Sequence, residues 1–176
     1  TKGGLVWCKG RPNAGYAHRL FDTARGVNNS LTTTTTDAQF AQTNSVTAFN
    51  TTGFSLGSDP NGEVNYSGST YVGWTFRKQP KFFDMVTFTT GATVTNTNRR
   101  ISHSLGSVPG FIVIKNITTS GYSWICYHRS LGRSSYVCLN STATSVSITD
   151  FWGTSDPTST DFGVNETQAE IGRAHV

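Results

Sequence analysis

Cleavage of a glycosidic bond needs two carboxylates about 5–10 Å apart across a cleft. The chain offers Asp22, Asp37, Asp59, Glu63, Asp84, Asp150, Asp156, Asp161 and Glu166. Almost all lie beside Gly, Pro, Asn or Ser in stretches that read as turns. Only Asp84 falls inside a strand-like pattern, FFDMVTFT, and no pair is marked out. Nucleophilic catalysis by Ser or Cys needs a base held by an orienting acid, and His18, His103 and His128 show no such set. The three cysteines, Cys8, Cys126 and Cys138, form no CxxC pair, and no His cluster has metal-ligand spacing. The expectation is a protein without catalysis, cofactor or metal.

Binding chemistry is better represented. Of the tryptophans Trp7, Trp74, Trp124 and Trp152, Trp124 and Trp152 are the candidate surface platforms on which a sugar ring could stack, since Trp is large and rarely fully buried. Arg25 and Arg129 follow aromatic strand ends, where they either bind a ligand or anchor a turn. The net charge of +4 is spread along the chain apart from Arg77-Lys78 with Lys81 and Arg99-Arg100. That is not the dense basic stripe of a nucleic-acid face, and no apolar run approaches the ~18 residues of a membrane span. Neither nucleic-acid binding nor membrane insertion is expected.

These residues must be positioned by elements that the chain contains twice. Residues 4–26 read GLVWCKGRPNAGYAHRLFDTARG and residues 110–132 read GFIVIKNITTSGYSWICYHRSLG. The two align without a gap at an offset of 106, matching Gly4 with Gly110, Lys9 with Lys115, Gly15-Tyr16 with Gly121-Tyr122 and Gly26 with Gly132. The apolar run of residues 5–8 falls on that of residues 111–114. Further on, Phe54 and Leu56 answer Phe162 and Val164. Such internal similarity at a fixed spacing is a primary indicator of architecture. Aligned this way, Cys8 meets Ile114 and Cys126 meets Leu20, so both read as small buried apolar residues. Cys126 and Cys138 lie close enough in sequence for adjacent strands, which leaves a bridge between them open.

Only 14% of residues are charged and 12% are aromatic, and Thr, Val, Tyr, Phe and Trp suit a pleated, half-buried surface. Short runs at residues 5–9, 16–22, 31–36, 54–56, 70–76, 82–89, 100–103, 110–115, 122–128, 135–140 and 162–164 read as strands separated by turn signals. The expected fold is all-β, an antiparallel β-sandwich in two tandem copies, each incomplete at one end. Residues 1–81 form the first copy without its N-terminal strands, and residues 82–169 the second without its C-terminal strand. Pro80 marks the junction, because it disfavours helix at Gln79 and cannot donate to a ladder. Residues 170–176, EIGRAHV, do not continue the pattern; written as codons they resemble read-through of a common short-read sequencing adapter and are expected to be a non-native tail.

The set GLVWCKGR, FDTARG, VTAFNTTGFSLGSD, NYSGSTYVGWTFRKQPKFFDMVTFT and ISHSLGSVPGFIVIKN with YHRSL resembles a repeated domain of tailed-bacteriophage structural proteins. These include large tail-fibre and tail-associated proteins, many from marine phages, in which the domain has no known function. The likeness covers residues 4–164 and is specific as a set. Cys8 and Cys126 stand where other apolar residues are usual, and the closing TYV strand is missing from the second copy. The resemblance implies a virion or tail component located outside the host cell. Other virion proteins would be its partners, together with a host surface glycan if the module is an adhesin. It brings no catalytic residues. Two alternatives stay open: a lectin-like carbohydrate-binding module, and a fragment of a polysaccharide depolymerase.

Overall fold

The computed structural model describes residues 3–11, 15–90, 97–168 and the backbone of 174–175. The chain divides into two units, one of Thr1–Thr35 and Gln39–Lys78, the other of Thr36–Ala38 and Gln79–Val176. Both are all-β. The described residues contain no helix, in keeping with a sequence that never sustains a 3.6-residue apolar period.

In the first unit, β1 (Gly4–Gly10), β2 (Arg19–Asp22), β3 (Gly26–Thr32), β4 (Phe40–Ala41) and the later β7 (Tyr71–Arg77) form one antiparallel sheet in the order β4-β3-β2-β1-β7. A second sheet pairs β5 (Val46–Phe49) with β6 (Phe54–Leu56). Because side chains alternate along a strand, Val6 and Cys8 of β1 and Phe21 of β2 point to one side. There they meet Val46, Phe49, Phe54 and Val64 as the sandwich core.

The second unit has β8 (Arg99–Ser102), β9 (Phe111–Asn116), β10 (Ile125–His128), β11 (Ser135–Cys138), β12 (Val146–Ser147), β13 (Asp161–Val164) and β14 (Ala174–His175). The large sheet runs β12-β11-β10-β9-β14, and β13 pairs with β8. Ile112 and Ile114, Ile125 and Tyr127, and Tyr136 present the alternating inner face. Ile101, Phe162 and Val164, with Phe151 and Trp152, close over it.

Register ties the two sheets to one numbering. Val6 faces Phe21 as Ile112 faces Tyr127, Leu20 faces Leu31 as Cys126 faces Val137, and Ser30 faces Phe40 as Tyr136 faces Val146. Each residue number differs by 106. Gly26 and Gly132, at the same offset, both adopt positive φ, +92° and +74°, a conformation that glycine takes without the steric cost of a β-carbon.

Several strand expectations shift. The third strand lies at Gly26–Thr32 rather than at residues 31–36, since Arg19↔Thr32 is the last pair of the ladder. β12 is a strand the sequence reading did not place. Residues 82–89 form no continuous strand: Gln79 and Phe83 make an isolated bridge, and the Asp84 carboxylate takes the amides of Met85 (2.8 Å) and Ser104 (2.6 Å). Their alternation is nevertheless used, because Val86 and Phe88 pack on the second core. The cysteines are all thiols. Cys138 lies opposite Ile125 rather than Cys126, which turns the two sulfurs to opposite faces. The sequence also reads as a turn over residues 11–15 and as a polar loop over 91–98, of which residues 12–14 and 91–96 lie outside the described residues. Of the suspected tail, only the backbone of Ala174 and His175 is described, and it pairs with Asn116 and Lys115 of β9.

Candidate functional site

The four sequence candidates separate when placed on this frame. Trp152 is fully buried, its indole N–H donates to the Ser135 carbonyl at 3.0 Å, and its ring lies edge-on to Tyr127 and Phe151. Trp124 is only 4% exposed, at a strand end where Asn140 Oδ1 accepts its backbone amide at 2.9 Å. Neither offers a face to a sugar. Trp152 belongs to the core of the second unit, where sandwich layers about 10 Å apart must be filled by large side chains; Trp124, just before β10, is buried but is not part of that core cluster.

Arg25 is a turn anchor. Its Nε donates to Asp22 Oδ2 at 2.6 Å, and its terminal nitrogens donate to the carbonyls of Asn29 (2.9 Å) and Leu20 (3.1 Å). Asp22 Oδ1 meanwhile accepts the amides of Ala24 and Arg25. The pair is buried, and burial draws the guanidinium pKa down while Asp22 opposes the shift. At the offset of 106, His128 replaces Asp22 and its Nδ1 accepts the Ser130 amide at 3.2 Å, a single acceptor in place of a carboxylate at the corresponding turn. Arg129 alone remains at the surface. Its guanidinium lies over Gly110, where a β-carbon would collide with it.

A lysine tie recurs in both units, from the half-buried Lys9 in the first and the buried Lys115 in the second. Lys9 Nζ donates to the carbonyls of Gly10 (2.8 Å) and Tyr16 (2.6 Å), and Lys115 Nζ to those of Asn116 (2.9 Å) and Tyr122 (3.0 Å). Lys115 adds the Thr36 carbonyl at 3.2 Å. Each ammonium ties the end of one strand to the start of the returning segment. Burial pushes Lys115 down to about 8, opposed by Asp37.

Two groupings escaped the sequence reading. The first is an aromatic cluster, half-buried apart from Trp74. Trp7 and Trp74 are direct cross-strand partners, their rings edge-on at 5.8 Å, and the Trp7 indole N–H donates to His18 Nδ1 at 3.0 Å. Burial and the nearby Lys9 charge lower the His18 pKa, which favours the neutral ring that this acceptor role requires. Trp74 is 43% exposed. The second is a polar network on the core side of the first unit. Arg19 bonds to Glu63 and Thr32 and stacks over Phe40, with its guanidinium carbon 4.9 Å from the ring centroid; Gln42 donates to Glu63 at 2.7 Å. At the offset of 106 the positions of Arg19, Thr32 and Gln42 are held by Ile125, Cys138 and Ile148, all packed in or against the second core. That apolar-to-polar exchange was the signal available in the sequence.

The carboxylates are dispersed among such supports. Asp59 accepts from Ser45 and the amides of Val64 and Asn65. Asp161 is held by Arg100 and Thr158, Glu166 by Arg99 and Asp150 by Arg133. Among the described residues, no three His, Cys, Asp or Glu side chains gather as metal ligands would.

Fold and site together define a two-unit all-β chain whose polar groups largely brace turns. The chain belongs to the family described as domain of unknown function DUF7483, whose model matches residues 1–176. No curated protein and no solved structure matches it.

Proposed function

We propose that the chain is a structural or adhesin module of a tailed-phage virion, built from two copies of one sandwich pattern and acting by spacing or surface recognition without catalysis. The observation that carries this reading is the use of the ionisable side chains. Asp22, Asp59, Asp84, Asp161 and Glu166 each hold backbone or an arginine at a different turn or strand pair, as befits a stiff module rather than a cleft with two opposed acids. The motif resemblance supplies the virion setting, and duplication lets weak surface contacts add as avidity. Long-read sequencing of the source tests this reading through the genes flanking the uninterrupted reading frame. Tail genes on either side are the expected result, and neighbours encoding secreted polysaccharide enzymes would overturn it.

One observation favours carbohydrate binding as a second reading: Trp74, exposed and backed edge-on by Trp7, offers an apolar face of the kind that stacks on a pyranose ring. Glycan-array binding lost in Trp74→Ala, with unchanged circular dichroism, is the outcome this version expects. Equal array profiles for the two proteins would reject it.

A further inference from the structure

The segment of residues 57–70, between β6 and β7, is held from several sides. Asp59 is buried and adopts a positive φ of +38°. Its carboxylate accepts the Ser45 hydroxyl at 2.7 Å and the amides of Val64 (2.6 Å) and Asn65 (3.0 Å). Asn65 Nδ2 donates back to the Gly57 carbonyl at 2.6 Å. The Tyr71 hydroxyl donates to the Gly62 carbonyl at 2.7 Å and accepts the Tyr66 amide at 2.9 Å. Val64 enters the first core, and Glu63 is the acid of the Arg19 network. That network fills positions whose counterparts in the second unit are apolar, and a buried ion pair is weak evidence of a gain in stability. What it secures is one conformation of this loop, the rigid support on which binding residues are displayed.

We propose that this loop is a binding site for a neutral saccharide, with the Tyr66 ring as its stacking face. Tyr66 is 56% exposed, and its ring lies over Gly62, where a β-carbon would come within 2.7 Å of Cδ2. Gly62 also adopts positive φ, +71°, so its conformation and the ring seated on it both call for glycine. The other exposed positions of the loop include Ser58, Pro60, Asn61, Asn65 and Ser67. Amides and hydroxyls both donate to and accept from sugar hydroxyls, and a tyrosine ring presents the apolar face that stacks on a pyranose. No exposed position between 57 and 70 carries a charge, since Asp59 is buried and Glu63 is paired with Arg19. A sulfated or uronic chain therefore finds no ionic partner on the loop. The proposal rests on recognition rather than spacing as the role of the chain, and it does not use Trp74.

The test is a glycan array printed with neutral oligosaccharides of glucose, galactose, mannose and N-acetylglucosamine beside their sulfated forms, probed with the fluorescently labelled full chain. Binding to neutral spots, no stronger on their sulfated forms, is expected. Tyr66→Ala should weaken it about tenfold or more, as loss of an aromatic anchor does, whereas Tyr66→Phe and Trp74→Ala should keep it. Asn61→Ala, at a second exposed position of the loop, should weaken it too, and it serves if Tyr66→Ala fails to fold. Binding lost in Trp74→Ala but kept in Tyr66→Ala would overturn this site and leave the Trp74 face as the one that takes sugar. Binding to no spot, or to sulfated spots alone, would overturn the proposal as well.

Discussion

Asp22 and Arg25 illustrate how tightly single residues are committed in this chain. Removing the Asp22 carboxylate strands a buried guanidinium and three of the hydrogen bonds that shape the turn. Asp22→Ala should cost about 3–5 kcal/mol, the range for a buried pair broken on one side, read as a lower urea midpoint; a change below about 1 kcal/mol would fit an exposed pair instead. Lys115 gives a pH signature. Its pKa in the folded chain lies near 8 against an ordinary 10.5, so between those values the unfolded chain holds more protons. Stability contributed by this group therefore rises with pH across that window. Urea midpoints measured at both ends should show a larger rise in the native chain than in Lys115→Met, and identical rises would contradict the assignment.

At the scale of elements, the strands were the most legible part of the sequence and their partners the least. The runs at residues 5–9, 54–56 and 70–76 became β1, β6 and β7 with ends displaced by a residue at most, because alternation and bounding Gly or Pro mark them locally. Residues 82–89 alternate equally well, but a side-chain carboxylate captures their neighbouring amides, a competition that periodicity does not reveal. Trp152 lies inside rather than on the surface for a related reason. Large aromatics fill the space between layers, and which face of a short strand becomes interior depends on the opposing sheet. The Arg19 network was open to detection through the offset of 106, since apolar residues occupy those positions in the second unit. Its energetics follow from that comparison. Arg19→Ile alone leaves Glu63 without its cation and should lower stability by up to about 3 kcal/mol. Adding Thr32→Val, Gln42→Ile and Glu63→Leu replaces the network with a packed apolar set and should recover most of the loss. Chemical denaturation of both variants checks this, and a combined variant weaker than Arg19→Ile would contradict it.

For the whole molecule, the register of four strands, the lysine ties and the positive-φ glycines correspond between the two units at an offset of 106 residues. The first unit has a polar network on its core side and an aromatic pair across β1 and β7, of which Trp74 is exposed; the second has an apolar core at the corresponding positions. A module of this kind presents surface and stiffness, which is why the virion reading rests on how the side chains are used rather than on any one reactive group. Its central claim is most directly tested by mass spectrometry of density-gradient-purified phage particles from the source. The tryptic peptide of residues 101–115, ISHSLGSVPGFIVIK, should co-fractionate with the capsid and tail proteins. Its recovery only from the particle-free, cell-secreted fraction would contradict a virion module.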